Sequence, residues 1–189
     1  NTTDRLTFDR PESLALKYFT SATLLQGLET PVTREPGSVS IGLEAGWLPA
    51  LSDAKQLVGY YGTEAQDLNK APLFPRPRVT IGLPGRFSLV VAAVPPIPLF
   101  GLTTKLLAMA VERPVYESRA LAVGARVYGQ IGTVRGAYTC PASAAAFAPG
   151  SAGNPEGCEA ASADTASLRY VGGEASLALW PDAPGRLSP

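Results

Sequence analysis

Residues 120–136, ALAVGARVYGQIGTVRG, divide into two unlike sets when read with period two. One set is Leu121, Val123, Ala125, Val127, Gly129 and Ile131; the other is Ala122, Gly124, Arg126, Tyr128, Gln130 and Gly132. Successive side chains of a strand point to opposite faces, so the pattern predicts a strand with one smooth apolar face and one small or polar face. The run is far longer than the usual strand of about 5–6 residues, and it suits a membrane-crossing strand of about 9–11 residues extended beyond the bilayer.

The same alternation recurs along the chain. Val39, Ile41, Leu43, Ala45 and Trp47 oppose Ser38, Ser40, Gly42, Glu44 and Gly46. Val79, Ile81 and Leu83 lead into a Pro84-Gly85 turn, and Phe87, Leu89, Val91 and Ala93 continue the pattern, which reads as a tight hairpin. Residues 103–112 form another strand with Leu107, Met109 and Val111 on one face, although Leu106, Ala108 and Ala110 make its second face unusually apolar. Residues 168–180 close the series, with Val171, Gly173, Ala175, Leu177 and Leu179 opposite Gly172, Glu174, Ser176 and Ala178.

The connections predicted at Pro84-Gly85, residues 113–118 and residues 182–185 are short, and those at 49–75, 95–102 and 137–166 are longer. They alternate, as they do in an up-and-down meander whose short turns share one rim and whose long loops share the other. Residues 1–35 are ambiguous. Asp9-Arg10-Pro11-Glu12 reads as a helix start and Leu14, Tyr18, Ala22 and Leu25 share a helical face, yet Leu14, Leu16 and Tyr18 also alternate as a strand does. The expected organisation is a strand or short helix plus turn over 1–36, then one β-domain over 37–189.

Composition narrows the classes. The chain has 189 residues, 17% of them charged, with Lys+Arg 16 matched by Asp+Glu 16. A charged fraction below the ~25% of soluble domains, with no net charge, excludes the basic footprint of a nucleic-acid binder and the bias of a disordered tail. Pro95, Pro96 and Pro98 interrupt the longest apolar run, so no membrane helix is expected. The first residues, NTTDRLTFDR, hold no apolar leader core, and any signal peptide is expected to have been removed. Cys140 and Cys158 flank a segment of Ala, Ser, Gly and Pro. A disulfide closing that loop implies an oxidising compartment, and two free thiols are the other possibility. With no histidine, metal binding and histidine-based hydrolysis have no obvious carriers. No glycine-rich phosphate loop occurs, so no cofactor and no catalytic residue are assigned.

These features resemble the bacterial outer-membrane β-barrel proteins. The phrases Ile81-Gly82-Leu83-Pro84-Gly85-Arg86-Phe87-Ser88-Leu89 and Glu112-Arg113-Pro114-Val115-Tyr116-Glu117-Ser118 look like barrel hairpins of that class. The resemblance implies an all-β antiparallel meander forming part of a transmembrane barrel in the outer membrane, with the lipid bilayer as partner and small solutes as possible cargo. It implies interfacial aromatics at Trp47, Phe87 and Trp180, and a polar interior lined by Glu44, Glu112, Arg126, Tyr128, Gln130 and Glu174, which either border a polar pathway or neutralise one another in a closed core. Its function would be passive passage or a structural surface barrel, without catalysis. A soluble secreted β-sandwich binding module is the alternative. Barrels of the class end on a strand closing with an aromatic residue, whereas this chain stops at Leu187-Ser188-Pro189 with too few strands, so a C-terminally incomplete barrel is expected.

Overall fold

The chain is organised by antiparallel pairing of strands with the period-two pattern, seen in a computed structural model that describes residues 7–27, 29–59 and 62–180. In order the elements are α1 (Glu12–Ala22), β1 (Val39–Trp47), α2 (Asp53–Gln56), β2 (Leu57–Gly59), β3 (Glu64–Ala65), β4 (Leu73–Leu83), β5 (Phe87–Val94), β6 (Pro98–Leu99), β7 (Leu102–Glu117), β8 (Leu121–Gly136), α3 (Ala142–Ala145) and β9 (Asp164–Leu179). The main sheet has the order β1-β4-β5-β7-β8-β9, with β6 paired to β7; β2 and β3 form a separate two-stranded piece. Every pairing is antiparallel. The all-β antiparallel expectation holds. Among the described residues β1 and β9 each have one edge without a partner strand, so this sheet is open.

Register assigns the faces. Ile41, Val79, Val91, Met109, Gly129 and Val171 form one hydrogen-bonded row, and side chains of that parity make a bare apolar face. Ile41 is 82% exposed and Val171 79%. The opposite parity makes a covered face, on which Arg76, Arg126, Gln130, Val90, Ala108 and Ala110 are buried. Residues 23–25, Pro31 and Glu35 lie against it.

The N-terminal segment is a helix rather than the strand that its alternation also allowed. Pro11 presets the first turn. Phe19 is the large apolar side chain that α1 buries, 5.0 Å from the Tyr138 ring. A strand of Leu14, Leu16 and Tyr18 would need a sheet edge to pair with; a helix satisfies its own backbone and needs only one apolar stripe. Phe19 joins Leu102, Leu106, Val134, Tyr138 and Leu168 in a core at one end of the covered face. The apolar second face of β7, anomalous in sequence, gives Leu102 and Leu106 to this core and Ala108 and Ala110 to a smaller cluster with Leu25 and Val90.

Three boundaries move. The stretch 49–75 is not structureless: it holds α2, β2 and β3, and β4 begins at Leu73. The predicted turn at 113–118 is mostly strand, since β7 runs to Glu117 with a register shift between Pro114 and Tyr116 and leaves only 118–120 as the turn. A bulge absorbs the proline without ending the strand. The cysteine loop, expected to be mobile, is ordered around buried Asn154, whose side chain bonds the backbone of Phe147 and Cys158. The turn at 182–185 and the expected strand onset at Leu187 lie outside the described residues, as do Tyr60 and Tyr61.

Candidate functional site

The sequence's polar positions meet on the covered face because they share parity on adjacent strands. Glu44 stands opposite Arg76 across β1 and β4, Glu112 opposite Arg126 across β7 and β8, and Arg126 opposite Glu174 across β8 and β9. Arg76 pairs with Glu44 at 2.6 Å, and Arg126 faces Glu112 at 3.3 Å and Glu174 at 3.4 Å. Arg78 adds a weaker contact to Glu44 at 4.0 Å. Three arginines thus balance three glutamates, which offsets much of the cost of removing them from water. Tyr128 lies under Arg126, with its ring centre 5.0 Å from the guanidinium carbon, and edge-on to Tyr170 at 6.3 Å.

Arg76, Arg126 and Gln130 are buried and hold the peptide just after α1, while Arg78 and Glu112 border one recess and Glu44 another. Arg76, with no exposed surface, donates to the carbonyl oxygens of Thr23 and Leu24, each at 2.9 Å, and to Gln130 Oε1 at 3.3 Å. Its remaining donors go to Glu44 at 3.2 and 2.6 Å. All five N–H groups of the guanidinium are therefore used. Arg126 donates to the carbonyl oxygen of Leu25 at 2.9 Å. Gln130 Nε2 donates to Thr23 Oγ1 at 3.1 Å, while the Tyr170 hydroxyl donates to Thr23 O at 3.1 Å and accepts from Leu25 N at 3.0 Å. An irregular segment cannot pair its own backbone, and strand side chains supply the partners instead.

The segment continues across small residues. A side chain at Gly124 would meet Pro31 Cδ at 2.3 Å, and one at Gly82 would meet Glu35 O at 2.1 Å. The small positions of this face therefore admit the N-terminal segment. Beside it lies a polar recess of about 380 Å³, lined in part by Glu29, Arg34, Ser40, Arg78, Thr80 and Glu112. Among the described residues no three His, Cys, Asp or Glu side chains gather as a metal-binding group.

Sequence reasoning did not single out Arg76, Arg78 or Tyr170. Their signal was present: Arg76 and Arg78 share parity with Thr80 and Gly82, and Tyr170 with Gly172 and Glu174. Pro75 and Pro77 hid Arg76, because a Pro-Arg-Pro run reads as loop. Trp47 ends β1 at the rim of the long loops, and Phe87 and Trp180 sit at the rim of the short turns. Cys140 and Cys158 are disulfide-bonded.

The bare face has an oblique apolar band. On β1 it reaches Trp47, six residues past the row through Ile41. On β7 and β8 it ends sooner, at Leu107 and Ile131, with Lys105 and Thr133 next in the same parity; on β9 it ends at Val171 itself, followed by Arg169 and Ser167. The other boundary moves equally, from Val39 on β1, two residues from the row, to Leu179 on β9, eight residues from it. Arg113 is the one charged side chain within the band, and its guanidinium carbon lies 5.1 Å from the centre of the Phe87 ring at the short-turn rim.

No protein family, curated protein or solved structure matches the chain.

Proposed function

We propose that this chain forms part of the wall of an outer-membrane β-barrel whose interior is occupied by its own N-terminal segment. The observation that carries the reading is the slope of the apolar band. A shift of six residues over five strand spacings, at about 3.3 Å per residue and about 4.8 Å per strand, corresponds to strands tilted by about 40°. Barrel strands tilt by about 35–45°, and a bilayer cuts such strands in an oblique stripe. A sandwich partner sheet would cover the bare face; nothing in the described chain does. No described helix is long and apolar enough to cross a membrane, so the strands are what would span.

Closure requires further strands at the edges of β1 and β9. In such a barrel the short turns face the periplasm and the long loops, with the Cys140–Cys158 bond, face outward. The polar side chains serve as a clamp on residues 23–25, and passage of small solutes requires that segment to shift. The full chain, expressed behind a secretion signal, should fractionate with outer membranes and migrate differently on gels before and after boiling. Recovery as a soluble periplasmic monomer would overturn the reading in favour of a sandwich.

A further inference from the structure

The wall itself is parted. β4 pairs with β5 only from Arg78 to Leu83, whereas β4 continues back to Leu73 paired to β1 alone. On the other side Ala93 and Val94 of β5 pair only with β7. Pro75 and Pro77, which have no N–H to offer a neighbour, occupy the parted stretch of β4.

An apolar slot fills the opening. It is lined by Leu73 and Pro75 from the bare face, by Phe74 and Val94 from the covered face, by Phe19 of α1, and by Phe100 at the mouth. Residues of both faces thus line one cavity at the place where β4 and β5 stop pairing. Phe100 is 53% exposed, and its φ of 51° with the 75° of Gly101 forms the two-residue turn that joins β6 to β7. The free space is about 50 Å³, narrow for a ring system and suited to a single thin chain. The polar side chains on the lining are few, chiefly the hydroxyls of Tyr18, Thr23 and Thr104.

We propose that this slot binds the unbranched alkyl chain of an amphiphile and gives it a lateral path between the bare face and the interior. Binding follows from the slot; the lateral direction rests on the barrel reading above. Leu73 and Pro75 lie in the upper part of the apolar band, so the outer mouth opens where that reading places hydrocarbon.

The test uses the full chain in detergent micelles and a stearate with a nitroxide on its hydrocarbon tail, followed by electron spin resonance. Folding is scored separately by migration before and after boiling, so a chain that is no barrel is distinguished from a barrel with no alkyl site. Saturable immobilisation of the probe is expected, competed by unlabelled stearate and not by a steroid of equal hydrophobicity. Val94→Trp fills the slot from the strand, and Ala71→Trp fills it from the preceding loop and spares the sheet. Each takes the space the alkyl chain would occupy and should weaken binding by at least about tenfold. Overturning results are a folded wild type without saturable immobilisation, a folded Ala71→Trp that binds like wild type, or equal competition by the steroid.

Discussion

Arg76 donates through Nη2 to the carbonyl oxygen of Leu24 at 2.9 Å, joining the middle of a strand to a residue 52 positions earlier in the chain. The guanidinium has no exposed surface, and its other partners are Thr23, Gln130 and Glu44. Removing it leaves the Glu44 carboxylate with only the 4.0 Å contact to Arg78, takes the donor from the Leu24 carbonyl, and leaves the Thr23 carbonyl to the Tyr170 hydroxyl alone.

Arg76→Met should therefore cost about 3–5 kcal/mol, the range for breaking one side of a buried pair. Arg76→Lys should rescue little, because an ammonium cannot match a planar fork of five donors. Limited proteolysis is the readout: cleavage between residues 23 and 35 should appear in Arg76→Met under conditions where the wild type is resistant. In planar bilayers the same variant should show conductance steps that the wild type shows rarely. A protected segment in Arg76→Met would refute the clamp.

Charge on the bare face should be costly only inside the oblique band. Val127→Arg, two residues from the row through Gly129, is expected to destabilise the bilayer-folded protein by about 2–4 kcal/mol. Thr165→Arg, which has the same facing on β9 but lies beyond Arg169, should be nearly neutral. Urea titration in lipid vesicles compares the two, and equal costs would contradict the band.

Asp164 and Tyr138 give the protein opposite responses to acid and base. Burial alone would raise the Asp164 carboxyl, but hydrogen bonds from the Ser162 hydroxyl and the Thr139 and Tyr138 amides outweigh it and hold the group below its ordinary value. That stability is present above the unfolded value near ~4 and is lost as pH falls through the folded one. Burial, and then the nearby Asp164 charge, push the Tyr138 hydroxyl up. Its contribution is full below the ordinary value near ~10 and declines as pH rises beyond it. Urea midpoints measured across pH should fall at both ends; Asp164→Asn should flatten the acid limb and Tyr138→Phe the alkaline one.

The Cys140–Cys158 bond closes a loop with a sequence separation of 18. The chain-entropy relation gives about 3 kcal/mol for a loop of this size. Asn154 already orders the loop through three hydrogen bonds to Phe147 and Cys158, so reduction should loosen the loop and leave the sheet standing. Alkylation with and without reductant, read beside β-sheet circular dichroism, checks both halves. Collapse of the sheet on reduction would show that the bond does more than staple the loop.

Strand identity and sidedness were legible because both are local. Alternation at Val39–Trp47 and Leu121–Ile131 assigns each side chain to a face whatever strand lies alongside. Cys140 and Cys158 announced their bond by flanking a loop. What those polar side chains do could not be read so, because it depends on which backbone crosses them. Alternation put Glu44, Arg126 and Gln130 on an inner face, but that Thr23, Leu24 and Leu25 lie on them came only from the fold. The helix at Glu12–Ala22 was settled by the same long-range packing, where Phe19 meets Tyr138. Periodicity records only which way a side chain points. The slope of the apolar band needs the register of six strands, and the clamp needs carbonyls far away in sequence, so only the tertiary structure decided either one.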